Sequence, residues 1–351
     1  MTLDEHWVPQ DPASAEPNAY YRPGTGTEER EGGTIHFEVR ELLDAAVDPN
    51  RFLTQMRVNV IVTKDTEAPI DRTVICYPGW GETSAIFTGD ALDVLMEAIK
   101  RDGSRNPRFI FPNTGGRGTY TAADRNWAST TSFRAAMEDA RRLPKELLSR
   151  GELIGLVSVI GHSMGYMNAW SFIEGLLEEK AKNPAAPFNL QSITGLMPAT
   201  DEALGTVSPR FLGAVAKHVW PAAKCTATGK SLSVSPEDYN ALMFADSSHP
   251  DRENFKRSVP DSGRVFLEWA ARNFARKPLP ENDWTEVRAN ILWAGQEALL
   301  PDKMGINEAR FLRENGVKAH YHTLQNFSHA IPYKMSEEQK TELLNHWVAL
   351  I

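Results

Sequence analysis

The run LIGLVSVI, residues 153–160, carries one clearly polar side chain, Ser158, in eight positions. A strand this apolar meets water on neither face, so the sheet that holds it must be covered on both sides. Similar short runs recur along the chain: TVICYPG (73–79), RFIFPN (108–113), SITGLMPA (192–199), ANILWAG (289–295) and AHYHTLQ (319–325). Helix-period segments at about 84–101, 132–150, 164–182, 303–315 and 336–350 follow or separate them. Short apolar strands alternating with helices predict an α/β fold, with a mostly parallel central sheet flanked by helices. TIHFEVREL (34–42) and FLTQMRVNVIV (52–62) predict a β pair ahead of that alternation.

Two stretches break the pattern. Residues 1–33 are rich in Pro, Gly and charge without periodicity, and read as an irregular N-terminal arm. Residues 204–284 show no clear strand, but carry scattered aromatics such as Phe211, Trp220, Phe244, Phe266 and Trp269. This stretch reads as a helical cap inserted into a core made of 34–203 and 285–351. Some of its aromatic content must fill the cap's own core. Apolar residues left over would line a pocket for a hydrophobic small molecule.

Charge and cysteine usage narrow the partners. The 351 residues carry a net charge of -8, which argues against nucleic acid, since phosphate binding needs a basic surface. No apolar run approaches the roughly 20 residues of a membrane span. The N-terminus lacks the basic start and apolar stretch of a secretion signal. Cys76 and Cys225 lie far apart and read as two free thiols, which fits a reducing compartment. A cytoplasmic protein is therefore expected.

Immediately after LIGLVSVI comes Gly161-His162-Ser163-Met164-Gly165, and then a helical pattern. A serine between two glycines at a strand-to-helix junction matches the nucleophile elbow, a strained turn that pushes the hydroxyl out at the C-terminal edge of a sheet. The glycines are there because a Cβ on either side would collide with neighbouring chain. The helix start behind the serine offers unpaired N–H groups and the positive end of a dipole. A serine hydroxyl is a poor nucleophile at neutral pH and needs a base. Of nine histidines, His329 is the best placed, because it sits in a loop after a strand-like run. His162 should point away from Ser163 and serve the elbow structurally. His320 and His322 alternate along a strand and read as sheet residues, and His249 as a loop residue of the cap.

These features together resemble the α/β-hydrolase superfamily over roughly 57–200 and 285–351. VICYPGWGETS resembles the segment after that family's third strand, with Pro78-Gly79-Trp80 where a His-Gly pair is usual. RFIFPNTGGRGTY resembles its fourth strand and turn, with Asn113 where Asp is frequent. LQNFSHAIPYKMSEEQKTELLNHWV resembles the last strand, the histidine loop and the closing helix, with Ser328 where Gly is common. The resemblance implies an α/β-hydrolase fold with the cap between strands 6 and 7. It implies Ser163 as nucleophile, His329 as base, and the backbone amides of Trp80 and Met164 as the oxyanion hole. Neither a metal nor an organic cofactor is implied.

The acid is less directly written. The family's Asp after the penultimate strand is replaced by AGQEALLPDKMG, with Ala298 at the aligned position. Shifting the alignment by one residue makes Glu297 the acid. Asp201 or Glu202, after the preceding strand, is the alternative, and Asp302 a further one that could instead cap a helix. The implied activity is cleavage of a carboxylic ester, including a lactone or thioester. C–C bond or amide hydrolysis with the same residues, and a non-catalytic ligand-binding protein of this fold, remain open alternatives.

Overall fold

The computed structural model describes residues 2–8, 20–40, 58–65, 67–113, 131–200, 209–229, 231–232, 243–244, 261–270, 278–297 and 299–348. Its centre is a nine-stranded sheet. In chain order the strands are β1 (Gly24–Arg30), β2 (Gly33–Arg40), β3 (Val58–Thr63), β4 (Arg72–Tyr77), β5 (Pro107–Asn113), β6 (Gly155–His162), β7 (Phe188–Leu196), β8 (Arg288–Ala294) and β9 (Lys318–Leu324). They lie in the order β9-β8-β7-β6-β4-β5-β3-β2-β1. The six strands from β9 to β5 are mutually parallel, and β3, β2 and β1 continue the sheet antiparallel.

Helices cover both faces of the parallel part, as the apolar strands require. On one side lie α1 (Asp90–Arg101) and α7 (Glu337–Val348), packed with each other over Val74, Cys76, Phe109 and Phe111. On the other lie α2 (Phe133–Ser149), α3 (Gly165–Lys182) and α6 (Lys303–Glu314), over Ile75, Tyr77, Val157, Val159 and Ile291. Ser158, the polar exception in β6, is buried and pairs with Ser192 of β7 at 2.9 Å. Between β7 and β8, which are the sixth and seventh strands when counting from Thr34, the chain forms α4 (Pro209–Thr228) and α5 (Gly263–Ala270), joined by a two-residue antiparallel pairing of Ser231–Leu232 with Asp261–Ser262. Among the described residues no helix is long and apolar enough to cross a membrane.

Two sequence expectations need correction. The segment 1–33 is not irregular throughout, because Gly24–Arg30 is the edge strand β1, in register with β2 from Gly24↔Val39 to Arg30↔Gly33. Its sequence GTGTEER hides this, since an edge strand with exposed alternate residues needs no apolar run. The single helix expected over 84–101 is instead a 3₁₀ turn, Ser84–Phe87, followed by α1. Gly89 breaks them apart where the chain presses on Tyr333, for a Cβ on Gly89 would lie 2.2 Å from the Tyr333 carbonyl oxygen.

Candidate active site

Strand register brings together residues far apart in sequence. Tyr77 of β4 pairs with Gly161 of β6, so the loop after Tyr77 emerges beside the Ser163 turn. Ala294 of β8 pairs with Leu324 of β9, so the loops carrying Glu297 and His329 emerge side by side. All four loops leave the C-terminal edge of the parallel strands, where open α/β sheets place their ligands.

Ser163 has φ 48°, in the left-handed region that non-glycine residues rarely occupy. Its amide donates to the Leu196 carbonyl at 2.9 Å, and its carbonyl accepts from Ala199 at 3.1 Å. The flanking glycines are sterically required. A Cβ on Gly161 would lie 2.3 Å from the Tyr166 Cα, and one on Gly165 would lie 2.3 Å from the Tyr77 carbonyl oxygen. The turn thus presses α3 onto the ends of β4 and β6.

Ser163 Oγ lies 2.9 Å from His329 Nε2, and His329 Nδ1 lies 2.8 Å from Glu297 Oε2. The other carboxylate oxygen of Glu297 accepts the Leu299 and Leu300 amides at 2.7 and 3.0 Å. Burial pushes the Glu297 carboxyl upward, but the charge and hydrogen bond of His329, with those two amides, hold it below the usual range. The loops are tied together by the Gly295 amide on the Leu324 carbonyl (2.6 Å) and the Gln296 amide on the Phe327 carbonyl (3.0 Å). The structure therefore joins Ser163, His329 and Glu297 in one hydrogen-bonded chain. Asp302 is the N-cap residue of α6, but its carboxylate makes no cap hydrogen bond and accepts the Trp293 indole N–H instead. Asp201 and Glu202, like Ala298 and His249, lie outside the described residues.

Met164 follows Ser163 directly, and Trp80 follows Gly79, which packs against the serine. The Trp80 and Met164 backbone amides donate to no acceptor among the described residues. Met164 occupies the N-cap position of α3, at the positive end of its dipole. The loop bearing Trp80 lies close to the serine, since a Cβ on Gly79 would lie 3.0 Å from Ser163 Cβ. Asn113 steadies this loop by accepting the Ser84 amide at 2.7 Å and donating to Ser84 Oγ at 2.9 Å.

Helices α4 and α5 pack against this edge. Met164, Met167, Ala199, Trp293 and Leu300 form an apolar cluster with Ala222 of α4 and Val265 and Phe266 of α5. The Trp80 and Phe266 rings are 5.4 Å apart, and the Met243 carbonyl accepts the His329 amide at 3.3 Å. Ser163 is only 5% exposed and His329 fully buried.

Sequence reasoning missed Glu82. It is buried, and its Oε2 lies 2.7 Å from His162 Nδ1 and accepts the Gly79 amide at 2.8 Å. His162 Nε2 in turn lies 2.7 Å from the His329 carbonyl oxygen. His162 reads as a structural residue of the elbow because its side chain should point away from Ser163, but nothing local in PGWGE announces a partner 80 residues away.

No protein-family model matches the chain, and no curated protein matches it. Among solved structures, a lipase in its open form is similar with a TM-score of 0.53 at 15% identity, covering 83% of this chain and 93% of that one. An esterase from Exiguobacterium antarcticum is similar with a TM-score of 0.47 at 14% identity, covering 77% of this chain and 89% of that one. A thermophilic esterase from Thermogutta terrifontis, with malate bound, has a TM-score of 0.48 at 15% identity, covering 88% and 93%. Identities this low speak to the fold alone. The likeness to the lipase, with the mostly parallel sheet and its flanking helices, establishes that this chain has the α/β-hydrolase fold.

Proposed function

We propose that the protein is a serine hydrolase that cleaves a carboxylic ester, lactone or thioester of a hydrophobic small molecule through an acyl-enzyme on Ser163. The observation that carries this reading is the unbroken chain from Glu297 through His329 to Ser163 Oγ. With Glu297 ionised, His329 Nδ1 holds its hydrogen toward the carboxylate, which leaves Nε2 as acceptor for the serine proton. Attack by Oγ on the substrate carbonyl moves that proton to Nε2 and develops negative charge on the carbonyl oxygen. The Trp80 and Met164 amides are the donors for that charge. His329 then returns the proton to the leaving alcohol or thiol. In the second half it takes a proton from water, which attacks the acyl group and regenerates Ser163 Oγ–H.

The substrate class follows from the apolar residues around Trp80 and Met164. Phe133, Met167, Phe266 and Leu300 offer an acyl group contacts without a charged handle. The test is labelling with a fluorophosphonate probe, followed by peptide mapping and hydrolysis of p-nitrophenyl esters of graded chain length. Labelling confined to Ser163, with a burst of nitrophenol, is the expected result. Absence of both labelling and ester turnover in folded protein would overturn the reading.

A further inference from the structure

A second glutamate–histidine pair lies behind Ser163, and the mechanism above does not use it. Both nitrogens of the buried His162 ring have oxygen partners: Glu82 Oε2 on Nδ1 and the His329 carbonyl on Nε2, each at 2.7 Å. A carbonyl can only accept, so Nε2 carries a hydrogen. Glu82 Oε2 also receives the Gly79 amide hydrogen, which favours the ionised carboxylate. Burial works against charge on either partner. Their mutual attraction outweighs it, holding Glu82 below and His162 above their usual values. An ionised Oε2 can only accept across the 2.7 Å contact, so the remaining hydrogen sits on Nδ1 and the ring is an imidazolium.

This cation joins three loops. Through Glu82 it holds Gly79, whose neighbour Trp80 is the proposed oxyanion donor. Through Nε2 it holds the backbone of His329, the proposed base. It is itself the residue before Ser163. We propose that Glu82 and His162 form a buried carboxylate–imidazolium pair that positions the oxyanion loop and the His329 loop against Ser163, and that full turnover requires His162 to remain protonated. This inference rests on the hydrolase reading.

Loss of the proton leaves no good arrangement. A neutral ring that keeps Nε2–H on the His329 carbonyl turns a lone pair toward the Glu82 carboxylate across 2.7 Å. A neutral ring that keeps Nδ1–H on Glu82 turns a lone pair toward the His329 carbonyl. Either way one of the loops is pushed off. The charged or titratable groups facing His162 are Glu82 from the loop after β4, the His329 ring at 5.4 Å centroid distance, and Glu297 beyond it. The two residues are positioning residues, since neither reaches the reacting atoms.

The test uses the full-length chain. Short-chain p-nitrophenyl ester kinetics across pH are measured for the wild type, Glu82→Gln and His162→Gln. Glu82→Gln is expected to lower kcat about 100-fold, as small misplacements of reacting groups do, with KM changed less than about 3-fold. Its alkaline limb should move to lower pH, because the imidazolium has lost its carboxylate. His162→Gln keeps a side-chain N–H for the His329 carbonyl but has no proton to lose. It should turn over slowly and show no alkaline limb attributable to this site. Alkaline limbs unchanged in both folded variants would overturn the proposal. Independently of how the variants fold, nitrogen NMR of histidine-labelled wild-type protein near neutral pH should show both His162 nitrogens protonated. A neutral tautomer there would overturn it as well. Wild-type protein that is neither labelled by fluorophosphonate nor active on esters would overturn the hydrolase reading instead, and the NMR result would still decide the charge state of the pair.

Discussion

The Trp293 indole N–H donates to Asp302 Oδ1 at 3.0 Å, which commits that carboxylate to the start of α6. Glu297, five residues earlier, is therefore the carboxylate placed to receive His329. We expect Glu297→Gln to lower kcat by about 10³- to 10⁴-fold with little change in KM, because an amide fixes the wrong imidazole tautomer. Asp302→Asn should stay within about 3-fold of wild-type turnover and lose about 1 kcal/mol of stability through a weakened hydrogen bond. A crippled Asp201→Asn beside a nearly silent Glu297→Gln would move the acid to the earlier strand.

Ser163→Ala and His329→Ala should each remove nearly all turnover, and Ser163→Ala should also abolish fluorophosphonate labelling. Groups that act as one unit are not additive, so the double variant should be no slower than either single one. Steady-state kinetics of the three variants checks this. A double variant slower by the product of the two effects would mean that the residues act independently.

On the proposed reading, the segment 204–284 acts on substrate selection. Phe266 meets Trp80, and Met243 holds the His329 amide. Replacing 204–284 by a short linker should leave small esters better hydrolysed than bulky ones, relative to the intact chain. Ser163 labelling should fall less than the turnover of long-chain esters. A folded deletion variant with an unchanged chain-length profile would remove the cap from substrate selection.

The buried pairs give stability a pH dependence of known sign. His162 is held above its ordinary 6.5, so its contribution is complete below that value and is lost as pH rises through the raised one. Glu82 and Glu297 are held below their ordinary 4.5, so their contribution is complete above that value and is lost as pH falls through the lowered ones. From these groups Tm should be highest between 4.5 and 6.5 and fall on both sides. Calorimetry over a pH series checks it, and Glu82→Gln should flatten the alkaline fall.

The elbow glycines should tolerate no side chain. Gly161→Ala would place Cβ 2.3 Å from the Tyr166 Cα, a backbone atom that cannot rotate away. We expect a loss of about 3 kcal/mol or more, from overpacking against fixed backbone. Urea unfolding measures it. A loss below about 1 kcal/mol would mean that the turn relaxes.

Features written in a single stretch of chain were legible in the sequence. β6 is marked by its apolar run, and the elbow by a change of period from strand to helix around two glycines. Glu297, which hydrogen-bonds His329, was reached by a one-residue shift in a local alignment. The missed features depend on contacts between distant segments. Glu82 gains its partner because β4 and β6 are neighbours in register, which no pattern within PGWGE encodes. Gly89 breaks a helical pattern because Tyr333, 244 positions later, packs against it. β1 is an edge strand, so its residues were free of the apolar requirement that reveals central strands.

The position of β9 sets a limit of another kind. Among the described residues it is the outermost parallel strand and pairs only with β8, yet the loop behind it carries His329. Protein sheets open locally from their margins at lower free energy than they unfold globally. An excursion that detaches β9 and its loop carries the imidazole away from Ser163 while β4, β5, β6 and β7 stay paired. The hydrogen bonds from His162 and to Met243 are the bolts against that excursion. Heat would therefore silence the serine before it melts the sheet, and refolding of one margin would be enough to restore it.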